Sequence, residues 1–111
     1  MTTEEKIRWL AEQAGWRDTK LVRGRTLWEH PGLGRSFELP DYPNSLDAIE
    51  RDLLPLLREK GLALTLHCTP EAIQAWITNS LGQTLVGAAS ADSPATAAFE
   101  AIFEALHGET E

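Results

Sequence analysis

The sequence predicts an α+β fold, a three-layer α-β-α sandwich. Three observations carry that prediction. From Ser45 onward the apolar residues recur first at helical spacing, then in three short alternating runs, then at helical spacing again. Turn-forming residues separate the runs, which makes the strands an antiparallel meander. A further helical pattern at the N-terminus is available to cover the sheet face that the two flanking helices leave.

The N-terminal helix opens on a capping box, Thr2 with Glu5 three residues on. Ile7, Leu10, Ala11 and Ala14 follow at helical spacing, Gly15 stops the helix, and Trp16 is placed to pack back on it. Residues 20–39 read as short extended pieces. Leu21-Val22 and Thr26-Leu27-Trp28 are strand-like, His30 to Gly34 is a turn, and Ser36 to Leu39 returns as a partner strand. Pro40-Asp41-Tyr42-Pro43-Asn44 breaks the pattern and is the best internal boundary, yet is too short to link independent domains. The chain therefore reads as a single domain over 1–111, in which 1–40 supplies the N-terminal helix and extended segments and 41–111 the α-β-β-β-α core.

Ser45 caps a second helix that runs to about Lys60, with Leu46, Ile49, Leu53, Leu56 and Leu57 as its apolar stripe. Pro55 inside it predicts a kink or a bent last turn, because proline has no N–H to give. After Gly61, Leu62, Leu64, Leu66 and Cys68 alternate on one strand face. Residues 72–79 form the next strand, with Ile73, Ala75 and Ile77 on one face and Gln74, Trp76 and Thr78 on the other. Asn79 to Gly82 is a hairpin turn leading to an antiparallel strand over 83–90. Ser93-Pro94 caps the last helix, whose inner face is Ala95, Ala98, Phe99, Ile102, Phe103 and Leu106. The second sheet face carries Thr65, His67, Trp76 and Val86, too apolar in part to be left wet, so the N-terminal helix is its cover.

At 111 residues and 42% apolar content the chain can bury a core without staples. Its single cysteine, Cys68, excludes an internal disulfide and a multi-cysteine zinc site, and fits a reducing compartment. The N-terminus is polar and acidic, unlike a signal peptide, and no apolar run is long enough to span a bilayer. The expected location is the cytoplasm. Residues 1–40 carry seven basic and six acidic side chains, residues 41–111 three and eleven, so the net −7 divides as +1 and −8. Phosphate neutralisation needs clustered Lys and Arg, so the larger segment should repel nucleic acid. Its acidity serves solubility, or it meets a basic groove on another protein.

Residues able to do chemistry are few and scattered. No two of His30, His67 and His107 lie at metal-ligand spacing. His67 and Cys68 are adjacent on a strand and point to opposite faces, which makes Cys68 a small core residue. Gly32-Leu33-Gly34 lacks the helix and lysine of a phosphate-cradling loop. The acidic pairs Glu50 with Asp52 and Glu100 with Glu104 read as solvated helix faces. The expectation is no enzyme, no cofactor and no metal. Helix, three strands, helix is also the order of double-stranded RNA-binding domains, but those begin their last helix with basic residues. Here it begins Pro94-Ala95-Thr96-Ala97-Ala98 and carries Glu100 and Glu104.

One stretch, Trp16 to Trp28, interleaves tryptophans with Arg17, Lys20, Arg23 and Arg25. That composition suits an interface hot spot or a stacking site for single strands. The simpler reading is core tryptophans flanked by arginines on exposed strand edges, since four tryptophans in so small a chain are most easily used in packing.

Gly15-Trp16, Trp28-Glu29-His30-Pro31-Gly32 and the run from Leu39 to Ala48 resemble the N-terminal signatures of the phage ABA sandwich domain. Residues 62–91 resemble its strand hairpins, and Ala91-Asp92-Ser93-Pro94 with the alanine-rich helix resembles its closing segment. Pro43-Asn44 departs from the usual Ser-Thr, and Pro55 is unusual. The resemblance implies a helix–sheet–helix sandwich and a bacteriophage or prophage setting, with no catalytic residues to carry over.

The functional expectation is a non-enzymatic phage or prophage accessory protein that binds a host or phage protein. One specific form is an acidic inhibitor of a host defence nuclease, as small anti-CRISPR proteins are. The candidate interaction surface is Trp16, Arg17, Lys20, Arg23, Arg25, Trp28, Glu100 and Glu104. Two alternatives stay open: a nucleic-acid-binding module using residues 16–28, and a small-ligand binder around His67 and Trp76.

Overall fold

The computed structural model describes residues 1–90 and 93–110. The Ala91-Asp92 part of the closing signature lies outside the described residues. The fold is α+β: an N-terminal helix, two three-stranded antiparallel sheets and a C-terminal helix. The chain divides into two compact units, Met1–Pro40 and Asp41–Glu111.

The first unit begins with α1 (Thr3–Gln13), closed by the expected capping box. The Glu5 amide donates to Thr2 Oγ1 at 3.2 Å, and the Thr2 amide donates to Glu5 Oε1 at 3.3 Å. At the other end Gly15 takes φ +108° and the Trp16 amide reaches back to the Ala11 carbonyl at 3.0 Å. The extended pieces amount to more than the sequence pattern indicates. Strands β1 (Arg17–Val22), β2 (Arg25–His30) and β3 (Gly34–Ser36) form a complete sheet in the order β1-β2-β3. A bulge between Asp18 and Lys20 breaks the alternation of β1, and the third strand occupies Gly34–Ser36 instead of Ser36–Leu39. The Arg23-Gly24 turn has positive φ at both residues, the backbone that matches the twist of a two-residue hairpin.

The second unit starts with a 3₁₀ turn, Tyr42–Asn44. The expected continuous helix is broken into a short turn α2 (Leu46–Ala48), a π-helical turn (Ile49–Leu53) and α3 (Leu54–Glu59). Pro55 explains the break. Its ring would strike the carbonyl of Arg51 four residues back and offers that carbonyl no N–H. The turn ahead of it widens, and the Leu54 amide bonds the Ile49 carbonyl five residues back.

Strands β4 (Ala63–Cys68), β5 (Ile73–Thr78) and β6 (Thr84–Ser90) then form the predicted meander, followed by α4 (Pro94–Thr110). Helix α4 packs on β5 and β6 and touches the 3₁₀ turn, where Thr96 Oγ1 donates to the Pro43 carbonyl at 2.8 Å. The expected inner residues of α4 are all buried, and so are Ala97, Ala101 and Ala105, so small side chains let the helix sink deeply.

Two placements differ from the sequence reading. Val86 pairs with Ile77, which puts it on the face of the buried Ala75 and Ile77 and not beside Trp76. The strand frame shifts because a bulge between Ile77 and Thr78 inserts Leu85. Cys68 shares the inner face by register but is exposed, because it ends β4 opposite the half-buried Ile73.

Candidate functional site

The tryptophans of the basic stretch are core. Trp16 is 4% exposed and Trp28 7%, while Leu10, Ala11 and Leu27 are buried in the same unit. Asp18, Trp28 and His30 share one sheet face by register, and that face meets α1. The Arg8 guanidinium lies 5.4 Å from the Trp28 ring centre and pairs with Asp18 at 3.6 Å. His30 fastens the end of α1: its Nε2 donates to the Ala14 carbonyl at 2.9 Å, and Nδ1 accepts from the Gly32 amide at 3.0 Å. A carbonyl can only accept, which fixes the tautomer. The ring also lies 5.3 Å from that of Trp16. Gly15 makes room for this fastening, since a Cβ there would sit 3.2 Å from His30 Nε2.

The opposite face of the same sheet gathers the basic side chains. Register puts Arg17, Glu29 and Arg35 in one cross-strand row, Lys20 beside Leu27 in the next, and Arg25 beside Val22 in the third. Arg17 Nη1 donates to the Glu12 and Trp16 carbonyls at 2.7 and 2.8 Å, capping the end of α1. Arg35 Nε is bonded to Glu29 Oε1. Arg25 stacks 4.9 Å from the Phe37 ring centre and stands 4.0 Å from Glu38. Lys20 is exposed, and Arg23 occupies the hairpin turn. Of the candidate surface residues, Arg17, Lys20 and Arg25 thus come together on one sheet face. Trp16 and Trp28 turn away from it. Glu100 and Glu104 belong to α4 in the other unit, half-buried and exposed respectively.

The second unit contains a polar cluster that the sequence reading missed. Asp52, expected on a solvated helix face beside Glu50, is 6% exposed. The widened turn carries it inward, where Tyr42 Oη donates to Oδ2 at 2.8 Å. Arg51 donates to the same carboxylate through Nε at 2.6 Å and Nη2 at 3.1 Å. Tyr42 is fully buried. Burial, then the hydrogen bond to Asp52 and its charge, push the phenol well above its ordinary range, against the opposing charge of Arg51. The hydrogen bond to Asp52 raises the Arg51 guanidinium further, against its slight burial. The Tyr42–Asp52 hydrogen bond ties the 3₁₀ turn to the π-helical turn, and Arg51 holds the carboxylate within the latter, so the cluster is a structural brace. Pro55 and the solitary tyrosine were the signals in the sequence.

On the outer face of the β4–β6 sheet, His67 and Gln74 are exposed and Trp76 is half-buried. The His67 and Trp76 rings lie 5.6 Å apart, tilted by 40°. Trp76 is the cross-strand partner of Gly87, and a Cβ on Gly87 would stand 3.3 Å from its Cδ1. The indole thus covers the strand glycine, a packing role that accounts for its position. His107 stacks on Phe103 with ring centres 4.8 Å apart. Among the described residues no three His, Cys, Asp or Glu side chains are grouped as metal ligands would be, and no helix is long and apolar enough to cross a membrane. No family model matches the chain, and neither a curated protein nor a solved structure does.

Proposed function

We propose that this chain is a non-enzymatic accessory protein of a bacteriophage or prophage, acting in the host cytoplasm by binding another protein through its acidic 41–111 unit. The burial of Trp16 and Trp28 is the observation that carries this choice, because it removes the stacking platform a single-strand binder needs. The acidic unit supplies the alternative surface. Asp41, Asp47, Glu50, Glu59, Glu71 and Glu104 are exposed there, while Arg51, one of its three cations, is turned onto Asp52. Such a surface suits a basic groove, including the nucleic-acid groove of a host defence nuclease. The phage setting rests on the resemblance of the tryptophan and Pro-x-Tyr signatures. Its support is that Gly15, His30 and Tyr42, inside those signatures, each hold a bracing contact of this fold.

The test is affinity capture from bacterial host lysate at low and high salt, with the wild type beside a D47K/E50K variant. A specific basic protein retained at low salt by the wild type, and lost in the variant, supports the proposal. Equal capture by both, or no specific protein at low salt, overturns it.

A second reading draws on the gathering of Arg17, Lys20, Arg25 and Arg35 on one sheet face. It is phosphate-only contact with nucleic acid, without stacking. Oligonucleotide binding that weakens steeply with salt and leaves tryptophan emission unchanged would favour it.

A further inference from the structure

The row Arg17–Glu29–Arg35 lines a cleft of about 370 Å³ inside the first unit, together with Gly15, His30, Pro31 and Gly34. This volume falls in the range of small-molecule sites. We propose that the cleft binds a small organic oxyanion, a phosphate ester or carboxylate joined to an apolar ring, independently of the acidic surface of the other unit.

Four features argue for this. The guanidinium of Arg17 is held in place by two backbone carbonyls through Nη1 alone, so Nε and Nη2 remain for an external acceptor. Arg35 is oriented by Glu29 through Nε, which leaves both terminal nitrogens. Two pre-positioned guanidiniums flanking one opening are the donor set that recognises planar or tetrahedral oxyanions. With Glu29 between them, the row carries one net positive charge, suited to a singly or doubly charged ligand and not to a polyanion. The rest of the lining is different in kind. Both ring nitrogens of His30 are engaged by the backbone, so the ring has no free nitrogen to offer a ligand, and Pro31 adds an apolar surface. Charged and apolar surface in one lining suit a ligand with an anionic head and a ring-like body.

The test uses the full chain, labelled with ¹⁵N and titrated with inorganic phosphate, phenyl phosphate and benzoate while amide shifts are followed. Phenyl phosphate should move the amides of Gly15, His30 and Arg35 in a saturable way, and bind about tenfold tighter than inorganic phosphate through burial of the ring. The variant R35A should weaken it about tenfold, the cost of one charge-assisted hydrogen bond. E29Q, which keeps an oxygen acceptor for Arg35 Nε but removes the negative charge beside the ligand, should tighten it. Benzoate distinguishes a carboxylate ligand from a phosphate one by which of the two ring compounds binds tighter. Shifts that do not saturate, or that move Lys20, Arg23 and Arg25 equally with the cleft, overturn the site. Phenyl phosphate binding no tighter than inorganic phosphate overturns the ligand class. Because no residue of the acidic unit is altered, lysate capture should be the same for R35A and the wild type, which keeps this test separate from that of the protein-binding proposal.

Discussion

Replacing Tyr42 with phenylalanine isolates one bond of the buried brace. The ring stays, and only the hydroxyl that donates to Asp52 at 2.8 Å is lost. The acceptor is a carboxylate whose side chain is 1% exposed, so water cannot take the place of the phenol. A hydrogen bond to a charged group contributes about 1.5–3 kcal/mol, and Arg51 continues to hold the carboxylate, so the expected loss is about 2 kcal/mol. Urea unfolding followed by far-UV circular dichroism would measure it. With an m value of about 1.5 kcal/mol/M the midpoint falls by about 1.3 M while m is unchanged. A cycle with Asp52→Asn should show coupling of about 1 kcal/mol or more, since both changes act on one bond. If Tyr42→Phe unfolds within about 0.3 kcal/mol of the wild type, below what one such bond contributes, the brace is not what holds the two turns together.

Three further outcomes follow from the same contacts. The sole tyrosine of the chain is Tyr42, so tyrosinate absorbance reports on that group alone. Folded protein at pH 11 should show none, while urea-unfolded protein titrates near the ordinary value of 10.0. A phenol raised by folding stabilises fully below the unfolded value and loses that contribution as pH rises past it. The wild type should therefore lose about 1.4 kcal/mol per pH unit above 10 relative to Tyr42→Phe, read as converging urea midpoints. Gly15→Ala should cost about 2 kcal/mol or more, combining a left-handed backbone with the 3.2 Å approach to His30 Nε2. Gly82→Ala, at φ +80° with nothing within 4 Å, should cost only the backbone part, so equal urea midpoints for the two would remove the steric role assigned to His30.

The second unit was legible because its signals are strong and local: period-two runs of Leu and Ile, a Ser-Pro cap, and an apolar stripe on α4. The first sheet was harder to read. Its strands carry Arg17, Asp18, Thr19 and Lys20 in succession, and the bulge breaks their alternation. Its third strand is only three residues long. Asp52 looked solvated because an ideal helix leaves it at the edge of the stripe. Its inward turn depends on the widened turn before Pro55 and on a tyrosine ten residues earlier, a tertiary fact that no window of sequence contains. The basic row Arg17–Glu29–Arg35 was invisible for a similar reason, since it assembles across three strands whose register is set by two turns.

The most direct measurement concerns the two tryptophans that the sequence offers as a binding surface and the fold places in the core. In a W9F/W76F variant only Trp16 and Trp28 emit. Blue-shifted emission, poor quenching by acrylamide, and no change on adding single-stranded oligonucleotide are what the account predicts. Water-like emission with efficient quenching, or quenching by the oligonucleotide, would contradict it and return residues 16–28 to the role of a binding surface.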